Sequence, residues 1–504
     1  VGEPTPVTHP VKIFEKGDRP LEIVASRQWY IRNGGRDPEL RKALLERGKA
    51  LRWHPSWMYQ RYESWVEGLN GDWLISRQRY FGVPFPIWYP VDTAGDVDHD
   101  HPITPAEADL PIDPSSDRPT GYEESQRGQP GGFVGDPDIM DTWATSSLSP
   151  QIATGWVDDP DLFSRTFPMD LRPQGPEIIR TWLFDSVVRA HFEHDALPWA
   201  HASINGWILD PDRKKMSKSR GNVVTPIDVL DQFGSDAVRY WACSARPGTD
   251  TALDVNQFKI GRRLAIKLLN ASKFVLGLSG SGTDGVPTEA LDLALLQRLG
   301  SLIDDATAAF EGYDYARALE RTESFFWSFC DDYVELVKSR AYGTLGEDRA
   351  ASAQATLRIA LSALLRLFAP FLPFVSAEVW SWWQEGSVHR APWPAVGPGA
   401  ASGSASGAAG SAGAGAGDGA GDATVLDDVA WALGQIRSAK SGASRSMRWP
   451  VSRAAVIAGA DRLARIALAA DDLKEAGTVA DLVLQATPEG AEDSVSVELS
   501  DTPD

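Results

Sequence analysis

Three patterns of apolar and polar positions follow one another along the chain. From Glu22 to about Phe233, short apolar runs alternate with Pro and Gly turns. Ile204-Asn205-Gly206-Trp207-Ile208-Leu209 reads there as a buried strand and Glu177 to Val188 as a helix, an α/β pattern. Residues 86–135 break it with Asp, Pro and little periodicity, as expected of an irregular surface insertion. From Asn256 to Trp383 apolar residues recur at helical spacing: Leu264, Leu268 and Leu269; Phe325, Phe326, Phe329 and Tyr333; Leu361, Leu364, Leu365 and Phe368. That pattern predicts a helical bundle. Residues 396–424 are almost all Gly, Ala and Ser, with little side chain to bury, and predict a flexible linker. The tail beyond it is mixed. Val425 to Ala439 and Ala460 to Leu473 read as helices, and Ala454 to Ile457 and Ser494 to Leu499 as strands.

Composition narrows the class. With 43 % apolar residues in 504, the chain can build large cores and is not globally disordered. A net charge of −20 argues against nucleic-acid binding through bulk positive charge but leaves room for local patches. Two cysteines, Cys243 and Cys330, exclude a disulfide scaffold and a cysteine zinc site. No apolar run reaches membrane-spanning length, and Val1-Gly2-Glu3-Pro4 opens no signal peptide. These features predict a cytoplasmic protein with no membrane association.

The sharpest chemical signal is Lys215-Met216-Ser217-Lys218-Ser219, entered from the apolar Ile208-Leu209 through the polar turn Asp210-Pro211-Asp212-Arg213. Two lysines three apart, with hydroxyls and backbone N–H groups between them, make a loop able to wrap a polyphosphate.

This loop resembles the signature loop of the class I aminoacyl-tRNA synthetases, and the wider context is similar to their valine-specific members. Asp72-Trp73-Leu74-Ile75-Ser76-Arg77-Gln78-Arg79 resembles the block that re-enters the catalytic domain after the editing insertion. Asp138-Ile139-Met140-Asp141-Thr142-Trp143 and Arg172-Pro173-Gln174-Gly175-Pro176-Glu177-Ile178-Ile179-Arg180-Thr181-Trp182 resemble blocks of the amino-acid pocket. Phe326-Trp327-Ser328-Phe329-Cys330-Asp331-Asp332-Tyr333 and Ala369-Pro370-Phe371-Leu372-Pro373-Phe374 resemble anticodon-domain signatures.

The resemblance implies an α/β fold, the second half of a Rossmann-like catalytic domain followed by an α-helical anticodon-binding bundle and a small α/β tail. The expected segments are an editing-insertion exit at 1–25, a catalytic domain at 26–255, the bundle at 256–395, the linker at 396–424 and a C-terminal junction domain at 425–504. It implies ATP-dependent activation of valine to valyl-adenylate and transfer to the valine tRNA, with Mg²⁺ accompanying ATP, by a monomer. Lys218 and secondarily Lys215 would hold the pyrophosphate. Met216, Ser217 and Ser219 would complete the ATP loop, and Gly206 and Ile208 would lie against adenine. Ile178 and Trp182, four apart and so on one helix face, would with Trp143 wall a small dry pocket suited to valine. Arg262, Arg263 and Lys267, flanked by Lys259 and Lys273, and Arg437 and Lys440, with Arg445 and Arg448, would contact tRNA. Trp327 and Tyr333 are candidates for stacking on anticodon bases, or simply bundle core.

Departures from the family pattern carry equal weight. None of the eight histidines forms the H-x-G-H signature of the first half of the fold. The expectation is a C-terminal portion without that half and incompetent in isolation. Residues 90–113 hold no cysteine, so no zinc is expected where the family often has a zinc knob. Pro176 stands where a histidine is usual. Two other readings stay open. One is a non-catalytic tRNA-binding fragment or paralogue; the other is an isoleucyl- or leucyl-specific relative.

Overall fold

The computed structural model describes residues 5–501 apart from 7, 9, 15, 16, 22–24, 217–220, 279–284, 396–421 and 489. The Gly/Ala/Ser tract and the Ser217-Lys218-Ser219 part of the lysine loop therefore lie outside the described residues. The chain divides into two compact units, Val1–Ile204 and Asn205–Asp504.

The first unit is built on a three-stranded parallel sheet, with Trp199–Ile204 between Arg52–His54 and Met169–Gln174. A parallel sheet needs helices over its faces. Asp37 starts the first of these, its carboxylate accepting from the N–H groups of Glu39 (3.1 Å) and Leu40 (3.0 Å) ahead of Pro38–Ala50. That helix turns Leu40 and Leu44, four apart, into a core shared with Tyr62, Val187, Val188, Ala202 and Ile204. Gly48 is required where it stands, because a Cβ there would lie 2.2 Å from the Tyr62 ring.

The insertion at 86–135 is irregular, with a short antiparallel pair, Trp88–Pro90 against Phe133–Gly135. Arg127 organises it. Its guanidinium donates to the carbonyls of Pro114 and Asp117 (both 2.7 Å), pairs with Glu124 and lies 5.0 Å from the Phe133 ring centroid. One planar cation thus gathers several loop segments. Among the described residues no group of three or more His, Cys, Asp or Glu side chains could hold a metal ion.

Two readings of local structure change here. The segment expected as one helix from Glu177 to Val188 is a 3₁₀ turn at Pro176–Ile178, a π turn at Ile179–Leu183 and an α-helix at Phe184–His194. The stretch Ile204 to Leu209 is not one strand. The chain leaves the sheet at Ile204, and Ile208–Leu209 pairs separately with Thr251–Ala252. The reason is a close approach: a Cβ on Gly206 would sit 2.0 Å from the Thr249 carbonyl oxygen, so the backbone must run against residues 249–250.

In the second unit the helices Val255–Leu276, Ala290–Glu311, Tyr315–Ser328, Val334–Ala341, Glu347–Phe368 and Pro373–Ser381 form the bundle. Leu264, Leu268, Phe326, Phe329, Tyr333, Leu361, Leu364, Leu365 and Phe368 are all buried in one core. Within the second unit, Ser235–Ser244 packs against Val255–Leu276 and Tyr315–Ser328. In the tail, Thr424–Gly442 is helical and Val451–Ala458 is the central strand of a three-stranded sheet. Ser494–Leu499 flanks it antiparallel, and Val479–Ala486, unforeseen in the sequence, flanks it parallel. The helix expected from Ala460 to Leu473 is two, Ala460–Ala467 and Ala470–Gly477, broken where Ala469 takes φ −132°.

Candidate functional site

The base of the lysine loop is a tight, fully specified turn. Leu209 bridges Lys215 antiparallel, and the Asp210 N–H donates to the Lys214 carbonyl (2.9 Å). The Asp210 carboxylate accepts from the Asn222 side chain (2.8 Å) on the far side of the loop and from the Lys214 N–H (2.7 Å). Those bonds, Asn222 first, hold the carboxyl below its usual range, so it stays ionised. Asn222 also donates to the Lys215 carbonyl at 3.3 Å. Arg213 takes a left-handed φ of +61°, a strained backbone for a side chain of that size. Lys215 lies with its ammonium 4.7 Å from the Trp207 ring centroid, which keeps the charge at the loop entrance. Met216 is half-buried and Ile208 is exposed beside the narrow Gly206 turn. Ser217, Lys218 and Ser219 lie outside the described residues.

The expected pocket residues belong to the first unit. Trp143 follows Asp141, whose carboxylate accepts from the Trp143 N–H (3.3 Å) and pairs with Arg77 (2.7 Å). The helix so started, Thr142–Ser146, is tied to Trp182 by the indole N–H donating to the Ser146 carbonyl at 2.9 Å. The structure thus brings the segments of Trp143 and Trp182 together. The reason given for pairing Ile178 with Trp182 fails, however. A 3₁₀ turn followed by a wider π turn does not keep the four-residue spacing of an α-helix, so tertiary contacts, not a shared helix face, place Trp182.

Sequence reasoning left two residues of this region unassigned. Arg172 is 9 % exposed and lies over Trp182, its guanidinium carbon 3.0 Å from the ring centroid, and burial lowers its pKa to about 10. Its place in the Arg172–Trp182 motif was a signal. Asp185 had none. It is 4 % exposed, and burial, with a smaller push from the Asp141 charge, raises its carboxyl to about 8. The unfolded chain loses this proton near 3.8 and the folded one only near 8, so the group costs stability as pH rises through that interval. Asp185→Asn should remove the cost. Relative to wild type the variant should gain roughly 3–4 kcal/mol more at pH 8 than at pH 5 in urea unfolding followed by fluorescence. An equal difference at both pH values would mean that Asp185 is solvated.

On the bundle, Lys259, Arg262, Arg263 and Lys273 form an exposed basic stripe along Val255–Leu276. Arg262 donates to the Gln232 carbonyl (2.8 Å), and Arg263 lies 5.7 Å from the half-buried Trp327 ring. Lys267 pairs with Asp331 at 3.1 Å. The π turn Phe329–Tyr333 leaves the Asp331 carbonyl to accept from Arg437 at 2.8 Å. One expectation is corrected. Lys440 is 1 % exposed, its ammonium donating to the carbonyls of Met447 (2.9 Å) and Gly477 (2.8 Å), so it fastens the tail and cannot reach RNA. Of the two readings open for Tyr333, bundle core holds: it is fully buried with its hydroxyl on Asp292 (2.6 Å).

Comparison with known proteins agrees with this geometry. The family described as tRNA synthetases class I (I, L, M and V) matches residues 15–254, and the anticodon-binding domain of tRNA ligase matches residues 292–446. The chain is 61 % identical over 503 residues to a valine–tRNA ligase of Thermobifida fusca, covering 99 % of this chain and 55 % of that protein. It is 58 % identical over 485 residues to the one of Salinispora tropica, covering 94 % and 56 %. The chain therefore spans about half the length of the curated relatives it matches. Among solved structures, Agrobacterium radiobacter LeuRS in a ternary complex with tRNA and LeuAMS superposes with a TM-score of 0.51 at 25 % identity, over 66 % of this chain and 43 % of that one. Mycobacterium tuberculosis methionyl-tRNA synthetase shares the fold with a TM-score of 0.52 at 20 % identity, over 72 % and 64 %. The parallel sheet, the pinned stem of the lysine loop and the helical bundle are thus parts of one known architecture, and the chain belongs to the class I tRNA synthetases, on the branch whose curated relatives are valine–tRNA ligases.

Proposed function

We propose that this chain serves in the ATP-dependent attachment of valine to its tRNA, supplying the pyrophosphate-binding loop, part of the valine pocket and the anticodon-arm contact. The observation that carries the reading is the lysine loop, whose stem is set by Asp210 and Asn222. Displacement at the α-phosphate of ATP needs positioning and neutralisation of growing negative charge rather than covalent help. Lys215, held at the loop entrance, and Lys218 supply that charge. Mg²⁺ would arrive on the ATP phosphates, which provide its ligands. The half-buried Trp143 and Trp182 offer apolar surface for a branched aliphatic side chain. A cytoplasmic monomer belongs to the same reading; no helix among the described residues is long and apolar enough to cross a membrane.

The test is amino-acid-dependent ATP–pyrophosphate exchange by the protein expressed from the whole gene. Valine should support exchange, and isoleucine and leucine should do so at least roughly tenfold less efficiently, the scale on which one methylene is discriminated. Preference for isoleucine or leucine would refute the valine assignment. For tRNA, Arg262→Glu with Arg263→Glu should weaken binding about equally for all tRNAs and lower the slope of log affinity against log salt by about two. Unchanged affinity at low salt in a filter-binding titration would make the stripe an ordinary solvated helix face.

A further inference from the structure

Arg172 is a cation in the core with no anion beside it. It stands on Met169–Gln174, an edge strand of the parallel sheet in the first unit. Its Nε donates to the Gln174 side chain at 3.1 Å, two positions on and so on the same side of the strand. Its Nη2 is buried with no hydrogen-bond partner. Among the described residues no carboxylate acts on it; burial alone shifts its pKa, and at about 10 the group is still charged at neutral pH. A guanidinium taken out of water ordinarily has a carboxylate to offset the loss. Arg172 has two rings instead. Its guanidinium carbon lies 3.0 Å from the Trp182 centroid and 5.3 Å from the centroid of the buried Trp199. Over an indole and away from water, this is the stronger form of a cation–π contact.

Trp182 is the ring that needs such a hold. It belongs to the π turn Ile179–Leu183, which does not give it the regular stagger of an α-helix. Its indole N–H donates to the Ser146 carbonyl at 2.9 Å. One bond at the edge of a ring is a hinge about which the ring can tilt; a cation over its face removes that freedom. Gln174 holds the cation in turn, and its own amide donates to the Gly175 carbonyl at 3.3 Å. Direct contact with substrate is the other role open to a lone cation. Nη2 argues against it, because an atom that meets a ligand in an empty pocket is open to solvent, and Nη2 is closed off.

We infer that Arg172 is a positioning residue for specificity: its contact with Trp182 fixes the tilt of that ring, and with it a pocket width that excludes an amino acid one methylene larger than valine. This rests on the proposed valine pocket and adds the device that sets its size. Isoleucine enters only if Trp182 gives way, and giving way breaks the contact with Arg172. Valine, and threonine of nearly equal volume, need no such movement.

The test is ATP–pyrophosphate exchange with valine, isoleucine and threonine by the protein expressed from the whole gene, as wild type, Arg172→Met and Arg172→Gln. In both neutral variants the ratio of kcat/KM for valine over isoleucine should fall roughly tenfold, the scale of one desolvated cation–π contact, through better use of isoleucine. The kcat/KM for valine and the valine-over-threonine ratio should stay near their wild-type values. Each variant removes a buried charge that has no counterion, so neither should lower the urea midpoint. An unchanged valine-over-isoleucine ratio in a folded variant overturns the inference and leaves the valine reading intact. A uniform rise in KM for all three amino acids overturns it by making Arg172 a substrate contact. A lowered urea midpoint with kcat reduced equally for all three, or failure of both variants to fold, overturns it by making Arg172 a structural residue. Preference of the wild type for isoleucine overturns the valine reading and this inference with it.

Discussion

Arg340→Ala is expected to lower the unfolding free energy of the second unit by about 3–5 kcal/mol, the scale of removing one partner from a buried ion pair. Arg340 is fully buried. Its guanidinium donates to both oxygens of Asp292 (2.8 and 2.9 Å), to Asp472 (2.9 Å) and to the Arg349 carbonyl (3.1 Å). Burial alone would lower its pKa; the hydrogen bonds and charges of Asp292, with the charge of Asp472, outweigh it and hold the group above its ordinary value. Tyr333 and Ser352 donate to the same Asp292 carboxylate at 2.6 and 2.5 Å. Alanine would leave Asp292 in the core without a cation and Asp472 with only Arg349, 4.0 Å away. Because Asp472 belongs to the tail and Asp292 to the bundle, the loss should appear as the two parts separating in hydrogen exchange as well as in the urea midpoint. Arg340→Lys should fall between, since an ammonium cannot reproduce the two parallel bonds to Asp292. A loss below about 1 kcal/mol would mean that water reaches the network.

Lys218→Ala, placed in the protein expressed from the whole gene, should lower kcat for valine activation by roughly two to three orders of magnitude, as for a lost transition-state charge contact. If Lys218 acts on charge that grows during displacement, kcat should fall with little change in KM for ATP. An equal rise in KM with kcat intact would make it a ground-state phosphate contact only. Asp210→Ala provides an independent check on the loop. Asp210 touches no phosphate in this scheme and works by holding Lys214 and Asn222 across the stem. It should therefore lower activation less than Lys218→Ala, and Asp210→Asn, which keeps acceptor geometry for the Lys214 N–H, should recover part of the loss. Pre-steady-state pyrophosphate release resolves these cases.

Local patterns in the chain were enough for the architecture. The 3.6-residue recurrence from Leu264 to Phe368 predicted the bundle, because one apolar stripe per helix has no other place to go than a shared core. The lysine pair after Ile208-Leu209 marked the candidate phosphate loop proposed above, because its chemistry resides in residue types at fixed spacing. What failed were several inferences that needed to know what a side chain meets after folding. Lys440 looks like a surface cation, yet two carbonyls from the tail, at residues 447 and 477, enclose it. Ile178 and Trp182 sit four apart in a run with no breaker, yet the backbone widens there into a π turn as Trp182 bonds Ser146, 36 positions earlier. Gly206 looks like part of a strand, yet it is the point where residues 249–250 pass too close for any side chain. The proton on Asp185 and the salt bridges of Arg340 left no trace in periodicity. A carboxyl's pKa and a guanidinium's partners depend on what excludes water around them, and that is supplied by residues distant in the chain and near only in the fold.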